Sequence, residues 1–232
     1  MPEDAPDIEG YPFALAGAPA LARPAGALWF PEVGALAVAD LHLGKAERMA
    51  RRAGALLPPY DTAETLDRLA AEIAALDPAT VICLGDSFDD AAAADALDAE
   101  ARERLAALAA GRRWVWVAGN HDPGPVGLAG AHVAVHREGA LTFRHIAAEG
   151  AAAEISGHYH PKATLVLRGR RLRRRCFLVD GARAILPAFG AYTGGLDATD
   201  PVFDPLLRRD ARALLLGARV TAAPRAALAA RA

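Results

Sequence analysis

The 232-residue chain has no glutamine, a single asparagine, two serines and two lysines. Its two cysteines, Cys83 and Cys176, each sit in an apolar segment with no second Cys or His at ligand spacing. That excludes a disulfide framework and a zinc ribbon, and both thiols read as buried fillers. No apolar run approaches the roughly 18 to 20 residues needed to cross a bilayer, because Arg, Asp, Gly or Pro interrupts each one. Met1 to Gly10 is acidic and contains proline, without the basic start and apolar stretch of a secretory signal. A cytoplasmic location, with no membrane partner, is therefore expected.

Aromatic residues are also scarce, at 6%, whereas hydrophobic residues reach 53% and charged residues 23%. A disordered chain is excluded, and the core must rest on Leu, Val, Ile and many small side chains, which favours helices on a sheet. The formal net charge of −2 identifies no partner. More informative is where the rare polar residues fall: Asn120, Ser87 and Ser156 all lie inside the polar clusters described below.

The length suits one domain, expected over residues 1–205, followed by an Ala- and Arg-rich tail, 206–232, expected to be partly helical or disordered. Ala27 to Phe30 and Ala35 to Ala39 read as strands. Asp61 to Leu76 reads as a helix, with Asp61 and Glu64 at capping-box spacing and Leu66, Leu69, Ile73 and Leu76 at helical intervals. Thr80 to Leu84 reads as a buried strand, Ala91 to Ala110 as a second helix and Arg113 to Ala118 as another strand. Beyond Asn120 come six strand candidates with short turns: His132–His136, Leu141–His145, Ala152–Ser156, Thr164–Arg168, Leu172–Val179 and Arg183–Pro187. An alternating front half and a strand-rich back half fit an α/β fold, a four-layer α/β/β/α sandwich of two mixed sheets flanked by helices.

Four of these strands end in chemistry. Ala35 to Ala39 runs into Asp40-Leu41-His42, and Thr80 to Leu84 into Gly85-Asp86. Trp114 to Ala118 runs into Gly119-Asn120-His121-Asp122, and Ala152 to Ser156 into Gly157-His158-Tyr159-His160. The carboxyl edge of an α/β sheet is where ligands bind. Residues two apart in an extended segment point the same way, so Asp40 with His42, and His158 with His160, can face one centre. Carboxylates, an amide and imidazoles without a thiolate suit Mn, Fe or Zn better than Mg or Ca. The donors are too many for one ion. Two ions about 3.5 to 4 Å apart, sharing a carboxylate and a hydroxide, would use them all and suit in-line displacement at phosphorus.

In that order, these motifs resemble the calcineurin-like metallophosphoesterases. Further segments narrow the likeness: Asp40 to Lys45, Ala53 to Thr62, Gly85-Asp86-Ser87-Phe88 and Leu186 to Gly195. These resemble the bacterial ligase-associated DNA damage response phosphoesterases over roughly residues 12 to 205. The resemblance implies two divalent metal ions, Mn foremost with Fe or Zn as alternatives. Asp40, His42 and His160 would ligate one ion, Asp86 would bridge, and Asn120, His158 and His145 would hold the other. It implies a metal-bridging hydroxide attacking phosphorus in line. His121 would give a proton to the leaving oxygen or hold a phosphate oxygen, and Asp122 would orient His121. Where this subgroup carries a Glu-Pro or similar pair after the His145 position and a His at position 89, this chain has Ile146-Ala147 and Asp89. The implied activity is that of a phosphodiesterase or endonuclease in bacterial DNA repair, with DNA as substrate and functional association with a DNA ligase and a helicase. The oligomeric state is not implied.

Other readings stand beside these. The site could serve small nucleotides or phosphomonoesters, or the fold could be a non-catalytic protein-binding scaffold. His132 and His136 read as edge residues or as a metal pair. Gly85-Asp86-Ser87 also begins the motif of GDS-type esterases, although no His follows His160 to complete such a site. Finally, Arg168, Arg170, Arg171, Arg173, Arg174 and Arg175 crowd one hairpin turned at Gly169. The run reads either as a charged edge that resists strand pairing or as a patch that tracks nucleic-acid phosphates.

Overall fold

The computed structural model describes residues 9–54, 58–124 and 127–229. The first residues of the chain, and 55–57 within the segment Ala53 to Thr62, lie outside them. The chain builds one sheet completely before starting the other. Strands β1 (Tyr11–Leu15), β2 (Ala18–Ala22), β3 (Leu28–Phe30) and β4 (Ala35–Val38) come first. Helices α1 (Lys45–Ala53) and α2 (Asp61–Leu76), strand β5 (Thr80–Leu84), helices α3 (Ala91–Ala96) and α4 (Ala99–Ala109), and strands β6 (Arg113–Val117) and β7 (Ala131–Val133) follow. All seven strands form one sheet in sequence order, antiparallel from β1 to β4 and parallel from β4 to β7. The second sheet holds β8 (His136–Glu138), β9 (Leu141–Phe143), β10 (Glu154–Ser156), β11 (Lys162–Leu167), β12 (Arg170–Val179), β13 (Arg183–Ile185), β14 (Arg212–Leu215) and β15 (Thr221–Pro224). Its order is β15-β14-β12-β13-β10-β9-β8, with β11 paired to β12. The fold is thus α/β with two mixed sheets.

Alternation explains how the sheets meet. In β3, Leu28 and Phe30 face the second sheet while Trp29 faces the helices, and in β5 Ile82 and Leu84 face inward while Val81 and Cys83 face outward. Strands covered on both sides read as unbroken apolar runs, as ALAV of β4 and VICL of β5 do. Between the sheets, Phe30 packs edge-on to Phe143 with ring centroids 5.8 Å apart. Burying each such side chain contributes roughly 1.5–3 kcal/mol. Both cysteines are buried and free, as the sequence suggests.

Several expectations need correction. The helix expected over Ala91 to Ala110 breaks at Leu97, where the Asp98 carboxylate accepts the Ala101 amide at 2.8 Å and caps a new helix. Asp61 does not cap its own helix, for Tyr60 occupies that position. The Asp61 carboxylate instead accepts the Ala46 amide at 3.1 Å, tying α1 to α2. His132 and His136 lie in different sheets. The tail, expected to be partly helical or disordered, is largely extended in its described residues: Arg212–Leu215 pairs with Cys176–Val179, Thr221–Pro224 extends that sheet, and one 3-10 turn follows at Arg225–Ala227. Leu214 fills the space between the sheets, which is why the segment is held as a strand. Helix α1 packs against α2 and α3, and α2, α3 and α4 lie on the first sheet. The outer face of the second, through Cys176, Leu178 and Ile185, is covered by Ala198, Phe203, Leu206 and Leu207 from a segment holding a single 3-10 turn.

Candidate metal centre

Asp40 and His42 follow β4, Asp86 follows β5, and Asn120, His121 and Asp122 follow β6, three neighbouring parallel strands. His145 follows β9 and His158 and His160 follow β10, also parallel neighbours. The carboxyl ends of both sheets therefore converge. The joint is explicit: the His158 amide donates to Asp40 Oδ2 at 2.9 Å, carrying the last motif onto the first.

The backbone there is not extended, as the spacing rule for Asp40/His42 and His158/His160 assumes. Asp40 (φ 54°), His42 (φ 46°), Asp86 (φ 45°), His158 (φ 71°) and His160 (φ 47°) all occupy the left-handed region. Each such residue costs on the order of 1 kcal/mol or more, and clusters of them mark functional sites. The side chains still share one centre, through left-handed turns. Hydrogen bonds impose these turns: Asp40 N to Gly85 O at 3.2 Å, His42 N to Asp86 O at 3.0 Å and Leu43 N to Ser87 O at 2.9 Å. Two glycines are required by the crowding. A Cβ on Gly119 would lie 2.1 Å from the Asp86 amide nitrogen, and one on Gly85 would lie 2.6 Å from the His145 ring.

The donors fall into two groups. Ligand atoms of Asp40, His42 and His160 lie within 4.8 Å of one another, and so do those of Asp86, His145 and His158. In the first group, His42 Nδ1 lies 2.8 Å from the buried Asp89 Oδ1, so its proton is held there. The Nε2 lone pair then faces His160 Nε2 at 3.4 Å, which is itself 3.2 Å from Asp40 Oδ1. In the second group, His145 Nδ1 donates to the Leu84 carbonyl at 2.8 Å. Its Nε2 meets Asn120 Oδ1 at 2.9 Å, His158 Nδ1 at 3.2 Å and Asp86 Oδ2 at 3.3 Å. Asp40 Oδ1, 3.9 Å from His145 Nδ1, links the two groups.

Lone pairs converging in a buried pocket repel unless positive charge lies among them. Burial pushes the Asp86 carboxyl up, but its bond to His145 and the neighbouring charges and amide of His145 and His121 bring it down to about 2. Burial pulls His145 down, yet Asp86 and Asp40 outweigh it and raise its pKa. Burial, then the adjacent His145, lower that of His158. An ionised carboxylate beside imidazole nitrogens is what a divalent first-row cation requires. The donor set fits two candidate metal sites.

Among the other sequence candidates, His121 is half-exposed at the mouth. Its amide donates to Asp86 Oδ1 at 2.8 Å, its Nδ1 lies 2.8 Å from the Asp89 carbonyl, and its ring meets that of His42 edge-on at 5.3 Å. Asp122 does not orient it. The Asp122 carboxylate accepts the amides of Asp86 (2.9 Å), Ser87 (2.7 Å), Phe88 (3.2 Å) and Gly119 (3.1 Å), so it clamps one motif loop to another. Ser87 Oγ is buried and bonds to no imidazole, unlike the nucleophile of a GDS-type esterase. His132 stacks on Trp116 and His136 pairs with Glu138, and the two do not form a metal pair. Arg168 occupies the hairpin turn with φ 50°, and Arg168, Arg170, Arg171 and Arg174 are exposed. Arg173 and Arg175 are half-buried. None of the six belongs to the two donor groups.

One residue the sequence reading did not place is Asp89. Fully buried, it accepts from His42 and is paired to Lys45 at 3.5 Å and to Arg48, while its carbonyl holds His121. Both cations come from α1, a helix that the periodicity did not reveal.

Two mixed sheets that gather oxygen and nitrogen donors at their carboxyl ends, in two groups side by side, have the layout of a metallophosphoesterase. The chain belongs to the calcineurin-like phosphoesterase family, whose sequence model matches residues 35–182. It is also similar to the Pseudomonas putida nuclease MPE, with 29% identity and a TM-score of 0.72 to its crystal structure, over 93% of this chain and 100% of that one. No curated protein matches the chain. Among the described residues, no helix is long and apolar enough to cross a membrane.

Proposed function

We propose that this protein is a two-metal phosphodiesterase that cleaves nucleic acid, a nuclease or endonuclease of bacterial DNA repair in the cytoplasm. The observation that carries the reading is the pair of donor groups joined through Asp40 and His145. Asp40, His42 and His160 would hold one divalent ion and Asn120, His145 and His158 the other, with Asp86 shared. Mn is the first choice, with Fe or Zn as alternatives. Two such ions supply charge neutralisation at phosphorus and acidify water. The likeness to the Pseudomonas putida nuclease, over nearly the whole of both chains, supports a nucleic-acid substrate. Association with a DNA ligase and a helicase belongs to the same proposal, through the resemblance to the ligase-associated phosphoesterases.

The chain's own groups do the remaining work. Asp89 and the Leu84 carbonyl hold the protons of His42 and His145 on Nδ1, so that Nε2 of each points into the centre. The Asp89 carbonyl likewise holds Nδ1 of His121, leaving its Nε2 at the mouth, 4.0 Å from Asp86 Oδ2. From there the imidazolium form of His121 would give its Nε2 proton to the leaving oxygen, and the neutral ring would take one back from water. The test is hydrolysis of a bis-aryl phosphodiester and of single-stranded, nicked and duplex DNA, after metal removal and readdition of Mn. Activity that returns with Mn and vanishes in Asp86→Ala is expected. Cleavage that survives that substitution would sink the reading.

A further inference from the structure

The chain leaves the metal centre at His160 and enters β11 two residues later, at Lys162. Because β12 runs antiparallel to β13, and β13 parallel to β10, the β11–β12 hairpin rises from the end of the sheet that carries the site. Pairing of β12 with β14 begins only at Cys176. The edge of Arg173–Arg175 that faces away from β11 therefore borders a groove of about 510 Å³, walled by Lys162, Arg173, Arg174 and Arg175 with Pro24 and Leu216. No carboxylate lines it. The acid paired with one of these cations, Asp197, lies 3.3 Å from Arg173 Nη1.

The groove is fastened to the centre. Arg175 Nη1 donates to the Ala188 carbonyl at 2.8 Å and Lys162 Nζ to the Thr193 carbonyl at 2.9 Å. Between these anchors, the Gly190 amide donates to the Asp40 carbonyl at 3.1 Å. The same short loop presents Tyr192, 41% exposed despite its aromatic ring, on a left-handed backbone of φ 55°. Burial and then the nearby Arg68 lower the pKa of Arg175, and Glu64 offsets this only in part. An edge charged only to resist strand pairing would not need half-buried cations docked on the loop that touches Asp40.

We propose that this groove seats the phosphate backbone of a single-stranded nucleic acid beside the metal centre, with Tyr192 stacking on a base. The inference rests on the phosphodiesterase reading above and adds the surface that would guide the substrate. It divides the arginine run: Arg173, Arg174 and Arg175 with Lys162 form the track, whereas Arg168, Arg170 and Arg171 lie towards the hairpin tip. Phosphate contacts give affinity that falls with salt, and aromatic stacking gives affinity that does not.

The experiment measures binding of labelled phosphorothioate oligothymidylate and oligouridylate, and of a duplex, to the Mn-loaded full chain over a range of salt. Arg173→Gln with Arg174→Gln is expected to weaken single-strand binding about tenfold and to flatten the log–log salt slope by about 1.4, roughly 0.7 per lost contact. Tyr192→Ala is expected to weaken it about fivefold or more at unchanged slope, with Tyr192→Phe restoring it. Arg208→Gln with Arg209→Gln, near the opposite end of the second sheet, is expected to bind as wild type. Thermal melting establishes that each variant folds, and exposed Tyr192 carries the test if the double arginine variant does not. Wild-type affinity and slope in the track variants would overturn the proposal, as would a duplex bound more tightly than either single strand. Hydrolysis of a bis-aryl phosphodiester by the wild type separates the two readings. If it occurs while the track variants bind normally, only the groove proposal fails; if the wild type hydrolyses no diester, the phosphodiesterase reading fails.

Discussion

Asp122 accepts the backbone amide of Asp86 at 2.9 Å, so the position of a central candidate ligand is set by a carboxylate on the neighbouring strand's loop. The same carboxylate satisfies the amides of Gly119, Ser87 and Phe88. Its negative charge is not offered to His121, whose Nδ1 is held by the Asp89 carbonyl.

Removing that clamp leaves buried donors unpaired, at about 1–3 kcal/mol for each unsatisfied group. Asp122→Ala is expected to lower the stability of the metal-free protein by at least ~3 kcal/mol in urea unfolding and to weaken metal binding. A loss under ~1 kcal/mol would show that water replaces the carboxylate and that the loops hold themselves.

Asp89 supports His42 through its carboxylate and His121 through its carbonyl. Its replacement by Ala is expected to reduce metal affinity at the Asp40–His42–His160 group about 10- to 100-fold, the usual effect of losing a carboxylate behind a ligating His. Titration calorimetry with Mn reads this directly. An unchanged affinity would place the orientation of His42 elsewhere.

Burial pushes Asp89 up, but His42, Arg48 and Lys45 hold its carboxyl well below the usual range. A carboxylate with a depressed native pKa adds stability that is complete above the unfolded value of about 3.9 and is lost as pH falls towards the native value. Asp86, held at about 2, acts in the same direction. The metal-free protein is therefore expected to lose stability steeply as pH falls below about 4, and Asp89→Asn to do so less steeply. Parallel pH profiles for the two proteins would contradict the assignment.

His121 stands at the mouth with Nε2 uncommitted. Replacing it with Ala is expected to slow cleavage of an alkyl phosphodiester about 100-fold or more while slowing an aryl diester far less, because only the poor leaving group needs the proton. Equal losses on both substrates would remove His121 from proton delivery.

The sequence made much of this legible because its chemistry sits where apolar strands stop. The strand Thr80–Leu84 and the helix Asp61–Leu76 were readable to the residue, each a clean apolar pattern with a polar boundary. The donors Asp40, His42, Asp86, Asn120, His145, His158 and His160 were readable as strand-end groups, and the structure brings them together. Three things were hidden. The roles of Asp122 and Asp89 depend on backbone amides and on α1, and side-chain spacing carries no record of either. The left-handed turns at Asp40 and His42 are imposed by bonds to Gly85 and Asp86, far away in sequence. The strand Arg212–Leu215 carries Ala and Leu, good helix formers, and is extended because the second sheet offers Cys176–Val179 as a partner; Thr221–Pro224 then pairs with Arg212–Leu215.

The account stands on two cations held by adjacent donor groups, and counting them tests it most directly. Metal analysis of the Mn-loaded full chain, after removal of unbound ion, is expected to give two ions per chain, and one in His42→Ala and in His145→Ala. A wild-type chain that retains no transition ion, or a content that neither substitution changes, would contradict it.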